Sequence, residues 1–236
     1  MTEKNPGRCG LDFIHPLPGQ FVHAAVPGSF LRRPVSVAGF SEDGGKLRLI
    51  VRRVGEGSRT LAALPVGSVV KMLCPLGRPF PMELAESAGS VWIVAGGIGL
   101  APLLFAARYA RERGVEIESF AGFRDEAQVF GVEELEECGG LKLSLGGLVT
   151  DALLEALERE RPGMILACGP GAMLRALQRI CAERGISAYV SLEEHMGCGV
   201  GACLVCSCGV NDESGFAYKR VCADGPTFNL SEVAFG

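Results

Sequence analysis

Four cysteines near the C-terminus limit what this chain can fold into more than any other feature. The run Met196-Gly197-Cys198-Gly199-Val200-Gly201-Ala202-Cys203-Leu204-Val205-Cys206-Ser207-Cys208 reads Cys-x4-Cys-x2-Cys, and Cys222 follows after a gap. This is the spacing of plant-type [2Fe–2S] sites, where one loop wraps one side of the cluster and a distant thiolate closes the other. The glycines at 197, 199 and 201 suit such a loop. They permit unusual backbone angles and bring N–H groups close to sulfur, where they stabilise an anionic cluster. Residues Tyr218–Cys222 are expected to form a strand that returns the fourth ligand. The expected metal ligands are therefore Cys198, Cys203, Cys206 and Cys222. Cys208 is the alternative to Cys222, but it would put every ligand on one stretch and leave the opposite face of the cluster open. Structural zinc is the competing metal. Zinc sites usually show two Cys-x2-Cys knuckles, and only one such pair is present.

Compartment bears on this reading. No apolar run approaches the roughly 18–20 residues of a membrane span. The segment Met1–Gly10 has no apolar signal core, so a cytoplasmic location is expected. In a reducing compartment, clustered cysteines favour metal or redox chemistry over disulfides. Ten cysteines occur in all, and those at 9, 74, 138, 168 and 181 are scattered, as small buried apolar residues would be. Net charge is −4 with no basic patch, which argues against a nucleic-acid partner.

Three zones follow along the chain. Up to about residue 83, short runs (Gln20–Val26, Val35–Phe40, Leu47–Val54, Val69–Leu73) alternate with Gly- and Pro-rich turns such as Asp43–Gly45, the pattern of a small antiparallel β-barrel. From 84 to 192, strands alternate with helices, which predicts a parallel sheet covered on both faces. Expected strands are Val91–Ala95, Val115–Ala121, Leu141–Leu145, Met164–Ala167 and Ile186–Leu192. Expected helices are Pro102–Arg113, Gly131–Cys138, Thr150–Arg161 (capped by Thr150 or Asp151) and Gly171–Arg184. Residues 193–236 are Cys- and Gly-rich and too few to build a large core alone, so a metal centre would compensate. The fold expected is multi-domain: antiparallel barrel, α/β nucleotide-binding domain, small C-terminal cluster module.

Two further sites carry chemistry. In Arg33-Pro34-Val35-Ser36, an Arg and a Ser precede a strand. The Arg can pair with a pyrophosphate and the Ser can face a flavin edge. Ile50-Val51-Arg52 offers backbone groups and a cation on a neighbouring strand, and Gly57-Ser58 opens a short helix, Ser58–Ala63, whose N–H groups suit a phosphate. Gly96-Gly97-Ile98-Gly99 follows a strand and opens a helix, a variant of the dinucleotide fingerprint without its third glycine. Cys168-Gly169-Pro170 also stands at a strand's C-terminal end, where open α/β sheets bind ligands. An Arg at a strand start is more often a solvated edge, and either Gly turn alone is more often only a tight turn. Their order along one chain is what gives them weight.

The R-x-x-S, GGIG-x-AP and CGP motifs, in this order, resemble the ferredoxin-reductase-like flavoproteins. The match narrows with Gly122–Asp125, Val149–Ala152, Glu193–Cys203 and Tyr218–Pro226, which look like the electron-transfer subunits of NAD-linked, type B dihydroorotate dehydrogenase. The resemblance covers nearly the whole chain. It implies an FAD barrel, a nicotinamide-binding domain and a [2Fe–2S] module. It also implies an FMN-containing catalytic partner, assembled as a heterotetramer of two of each, that oxidises dihydroorotate in pyrimidine biosynthesis. Electrons would pass through the cluster and FAD to NAD⁺. By the same resemblance Arg33–Ser36, Ile50–Arg52, Gly57 and Ser58 are FAD contacts, and no catalytic residue for dihydroorotate lies in this chain. Three departures stand out: a short N-terminus, a shortened stretch at Leu143–Thr150, and Ser58 where the family often has Thr. Arg124 follows the second α/β strand and could approach a ribose phosphate, which leaves NAD and NADP both open. The rival readings are a flavin and iron–sulfur subunit of an NAD(P)H:ferredoxin, sulfide or hydrogenase-type reductase, and a non-catalytic metal-binding or redox-sensing protein.

Overall fold

The computed structural model describes residues 15–41, 45–213 and 215–235. Cys9, the N-terminal segment and most of the Asp43–Gly45 turn lie outside them.

The first zone forms β1 (Phe21–Ala24), β2 (Arg33–Ser41), β3 (Lys46–Leu49), a seven-residue helix α1 (Glu56–Ala62) and β4 (Met72–Leu76). Its four strands make one antiparallel sheet in the order β3-β2-β1-β4. The third strand stops at Leu49, short of the expected Val54, because the chain leaves the ladder and turns toward α1. Next comes α2 (Met82–Ala88), for which no helix was expected. Pro81 precedes it and Gly89, at φ 71°, ends it, the usual asymmetry of a helix in proline and glycine.

The second zone follows the alternating plan: β5 (Ser90–Gly96), α3 (Leu100–Arg111), β6 (Glu116–Phe123), α4 (Val132–Cys138), β7 (Gly140–Leu145), α5 (Val149–Leu157), β8 (Met164–Cys168), α6 (Gly171–Arg184) and β9 (Ala188–Ser191). These strands pair in parallel, and β5 lies between β6 and β8. Neither Thr150 nor Asp151 caps α5. The helix starts at Val149 with Leu148 in the cap position, and Val149 and Thr150 are drawn into the core. The loop before it is Gly146–Leu148, with the Gly146 N–H donating to the Phe123 carbonyl at 2.9 Å.

The C-terminal segment contributes β10 (Ser207–Asp212), β11 (Gly215–Arg220), β12 (Thr227–Asn229) and β13 (Val233–Ala234). β13, β10 and β11 form a small sheet, while β12 adds an antiparallel edge to the large one, giving the order β12-β9-β8-β5-β6-β7. The segment shares its core with the α/β zone: Cys206, Val210, Val221, Phe228 and Leu230 belong to the same buried cluster as Trp92, Ile165 and Leu177. It is also bonded to the segment that follows β4. The Thr227 hydroxyl lies 2.7 Å from the Pro79 carbonyl, and the Arg78 N–H donates to the Gly225 carbonyl at 2.6 Å.

Helix α3 fixes the two sheets against each other. Leu100, Leu103 and Leu104 enter the core of the large sheet, while Phe105 packs with Val22 and Val37 of the small one. Arg108 from the same helix lies over Gly39 of β2, where a Cβ would come within 2.5 Å of its guanidinium. A cleft remains between the sheets.

Candidate functional site

That cleft has a volume of about 570 Å³, within the range of cofactor sites. All nine residues expected to contact FAD line it: Arg33, Pro34, Val35 and Ser36 from β2, Ile50, Val51 and Arg52 from the segment after β3, and Gly57 and Ser58 from α1. Register explains the first group, since β2 runs alongside β1 with Ser36 opposite Phe21, another lining residue.

Arg33 is oriented before any ligand arrives. Its Nη1 donates to the carbonyls of Leu31 at 2.7 Å and Arg32 at 3.1 Å. The guanidinium lies so close to Gly57 that a Cβ there would sit 2.4 Å from its Nε. Ser58 lines the cleft with its hydroxyl already engaged by the backbone. Its hydroxyl accepts from the N–H groups of Val54 and Gly55, both at 3.0 Å, and donates to the Gly55 carbonyl. It therefore holds the turn into α1. An apolar wall (Phe21, Ile50, Leu61) facing an Arg fork suits a planar ring attached to a diphosphate.

The opposite wall was missed by the sequence reading. Leu192, Glu193, Glu194, His195 and Met196 join β9 to the cysteine loop and line the same cleft. The one available signal was that the run resembling the family begins at Glu193, five residues before the first cysteine.

Gly97, Gly99, Cys168, Gly169 and Pro170 lie outside this cleft's lining, although their neighbours Ile98 and Ala101 are in it. The two turns are packed on each other at the C-terminal ends of β5 and β8, with Ala95 opposite Cys168. A Cβ at Gly99 would lie 2.3 Å from the Cys168 carbonyl oxygen, and one at Gly96 would lie 2.6 Å from Pro170. The sheet reverses its winding between β5 and β8, so this is the switch-point crevice where open α/β sheets bind nucleotides. Cys168 is fully buried there, which pushes its thiol far above the ordinary range and leaves it a packing group. Gly99→Ala should force the turns apart, because the opposing atoms are backbone. We expect about 1–3 kcal/mol of lost stability in chemical denaturation, with the spectrum of the purified protein unchanged.

The cysteine loop follows. Gly199 and Gly201 both have positive φ, at 74° and 84°, so each is required by its turn. Among the described residues, Leu204 is the one non-glycine with positive φ, at 61°, and it stands between Cys203 and Cys206. Strain of this kind gathers at functional sites. Backbone N–H groups point at sulfur throughout. Val200 and Ala202 donate to Cys198 Sγ at 3.4 and 3.3 Å, Cys198 to Cys203 Sγ at 3.4 Å, Gly201 to Cys222 Sγ at 3.2 Å, and Cys222 to Cys206 Sγ at 3.4 Å. The Val200 N–H is the main reason that the Cys198 thiol falls to about 6, whereas burial raises Cys222 to about 12.

Among the described residues, no three His, Cys, Asp or Glu side chains are arranged to hold a single metal ion. The thiols instead meet in two pairs, Cys198 with Cys203 and Cys206 with Cys222. Two such contacts are compatible with the two irons of a [2Fe–2S] site. Cys208 stands apart, on β10 opposite Lys219, packed against the core and raised to about 11 by burial. Cys222 does not end a strand as expected. β11 stops at Arg220, whose carbonyl accepts from the N–H groups of Ala223, Asp224 and Gly225, and Cys222 sits in that turn. Arg220 then clamps the site: its Nε and Nη2 reach Asp224 at 2.9 and 3.1 Å, and its Nη1 reaches the Gly201 carbonyl at 3.0 Å.

The chain resembles known proteins over most of its length. The chain is 38% identical over 227 residues to the dihydroorotate dehydrogenase B (NAD(+)) electron transfer subunit of Shouchella clausii, covering 92% of this chain and 86% of that one. For the same subunit of Bacillus caldolyticus the identity is 42% over 226 residues, with the same coverage. The chain belongs to this family. Within it, residues 193–234 match the family model described as the iron–sulfur cluster binding domain of dihydroorotate dehydrogenase B. Among solved structures, an NADH-dependent reduced ferredoxin–NADP oxidoreductase studied for flavin-based electron bifurcation superposes with a TM-score of 0.83 at 31% identity, over 93% of this chain and 80% of that one. The Amycolatopsis cytochrome P450 reductase GcoB gives 0.60 at 30% identity, over 71% and 57%. The family resemblance read from the motifs is thus borne out, and the fold is ferredoxin-reductase-like. No helix of the described residues is long and apolar enough to cross a membrane.

Proposed function

We propose that this chain is the electron-transfer subunit of a dihydroorotate dehydrogenase B, taking electrons from an FMN-containing catalytic partner and delivering them to NAD⁺ in pyrimidine biosynthesis. One observation carries the reading: the segment Leu192–Met196 walls the flavin-sized cleft and runs straight into the cysteine loop. Two redox sites are thereby built onto one continuous stretch of backbone. When bound, FAD would supply the exchange between single electrons and a hydride, and a [2Fe–2S] cluster the one-electron passage.

The residues divide accordingly. Residues 1–83, read as a barrel built on the antiparallel sheet, hold FAD, with Arg33 on the diphosphate and Pro34–Ser36, Ile50–Arg52 and Gly57–Ser58 shaping the cleft. Residues 84–192 take the nicotinamide nucleotide at the Gly97–Gly99 and Cys168–Pro170 turns, where the glycines let backbone approach the ligand. Residues 193–236 hold the cluster through Cys198, Cys203, Cys206 and Cys222. The partner would dock where the cluster loop is exposed. Val200, Leu204 and Val205 are apolar and open to solvent there, and Leu204 shares a surface hollow with the exposed Tyr218. An apolar rim of this kind is the signature of a protein contact. We further propose a heterotetramer of two of each subunit in the cytoplasm.

The test is an anaerobic preparation of the chain, with and without its FMN partner. The expected result is flavin bands with [2Fe–2S] absorption, equal counts of iron and acid-labile sulfide, and dihydroorotate-dependent NAD⁺ reduction only with the partner present. A colourless zinc protein, or ferredoxin reduction without any partner, would overturn the reading.

A further inference from the structure

His23 is buried to 0% exposure, and neither ring nitrogen meets a partner within full hydrogen-bond geometry, although the backbones of Cys198 and Arg32 lie close enough to act on the ring. Leaving such a group unpaired is unfavourable, and a leucine would fill the space without that cost. The ring's surroundings suggest what it serves. In β1, Phe21 and His23 point to the same face, since side chains alternate along a strand. Phe21 lines the flavin cleft. His23, two residues on, lies under the cysteine loop, where a Cβ at Gly199 would come within 2.5 Å of its Nδ1. On its own sheet His23 sits opposite Pro34, another residue of the cleft. Burial and the closeness of Gly199 leave the ring no neighbour to serve except the backbone of the cysteine loop and of its own sheet.

We propose that His23 is a positioning residue for the cluster: from the strand that walls the flavin cleft, its Nδ1–H holds the Cys198–Gly199 turn and so fixes how the Val200 and Ala202 N–H groups meet the Cys198 sulfur. This rests on the reading of the four cysteines as a [2Fe–2S] site. The physical consequence concerns redox balance. N–H groups aimed at sulfur favour the reduced, more negative cluster, because a hydrogen bond to a charged group is stronger than one between neutral groups. Loosening one such contact shifts the reduction equilibrium by about tenfold, which is about 59 mV for a one-electron couple.

The experiment compares wild type, His23→Leu and His23→Asn in the whole chain, measuring iron content, the cluster's midpoint potential and the electron paramagnetic resonance of the reduced cluster. Asparagine keeps a donor near the Nδ1 position, and leucine does not. The leucine variant is expected to show a reduction equilibrium about tenfold weaker, a midpoint potential about 59 mV lower, with altered resonance, while asparagine stays close to wild type. An unchanged potential in leucine, or an equal shift in asparagine, overturns the proposal. Should the leucine variant take up no iron, amide exchange of the cluster-free proteins decides. Residues 198–202 should exchange faster in leucine than in wild type or asparagine, and equal rates would overturn the proposal. A wild type that itself binds no iron defeats the cluster reading instead, so the two failures are distinguishable.

Discussion

Cys222→Ser should empty the cluster site, while Cys208→Ser should leave it filled. Cys222 is 2% exposed, and its thiol is raised to about 12, so little of it would ionise near neutral pH unless a metal displaced the proton. A serine in its place is a harder and far less acidic donor, with its oxygen in the same buried turn. Loss of a group that merely supports a ligand costs about 10–100-fold in metal affinity, and loss of the ligand itself should exceed that. Cys208 carries a different penalty. A hydroxyl among apolar neighbours costs about 1–3 kcal/mol if it finds no partner, which lowers stability without removing a donor from either thiol pair. Iron and sulfide counts with the anaerobic visible spectrum separate the outcomes. Iron retained in Cys222→Ser and lost in Cys208→Ser would reverse the ligand assignment. Flavin should stay bound in both variants, because neither cysteine lines the cleft.

The contrast between these cysteines shows what the sequence could convey. Spacing singled out Cys198, Cys203 and Cys206, because a short loop has few ways to present three sulfurs. It also marked Arg33 and the GGIG turn, since local backbone requirements leave local traces. Strands β5 to β9 were readable from their apolar runs and intervening helices. Other features depend on partners distant in the chain. Strand β12 is three residues long, shows no period, and exists because Phe228 pairs with Val190. The C-terminal segment therefore completes the large sheet, which its Cys- and Gly-rich composition gives no reason to expect. Helix α2 is short enough to hide among the turns around it. His23 reads in Phe21-Val22-His23-Ala24 as one polar residue in a strand, and only the folded chain brings Gly199 over it. The hydroxyl of Ser58 is engaged by the turn it helps to form, a local role that Gly55-Glu56-Gly57-Ser58 does not announce in sequence.

Arg33→Ala should weaken FAD binding by about 10–100-fold, the value of one charge-assisted pair with a phosphate, about 1.5–3 kcal/mol. Two carbonyls already hold Nη1, so the fork enters the cleft with much of its conformational entropy spent. That preorganisation makes the contact stronger than a loose surface arginine would provide. Lysine at this position keeps the charge but loses the fork, and should fall between wild type and alanine. Gly57→Ala probes the same contact from the other side, because its Cβ would lie 2.4 Å from Arg33 Nε. The guanidinium is the end of a flexible side chain and can swing away, so a smaller loss than in Arg33→Ala is expected. Reconstitution of the flavin-free protein, followed by fluorescence quenching, gives these affinities directly, and iron content serves as the control. Unchanged FAD affinity in Arg33→Ala alongside a large loss in Arg52→Ala would move the diphosphate to the other cation of the cleft. The ordering alanine, lysine, wild type cannot arise from general destabilisation, because an exposed lysine is tolerated at a strand start as readily as an arginine. It requires an anion on the cleft side of β2 with two oxygens placed to meet the guanidinium fork.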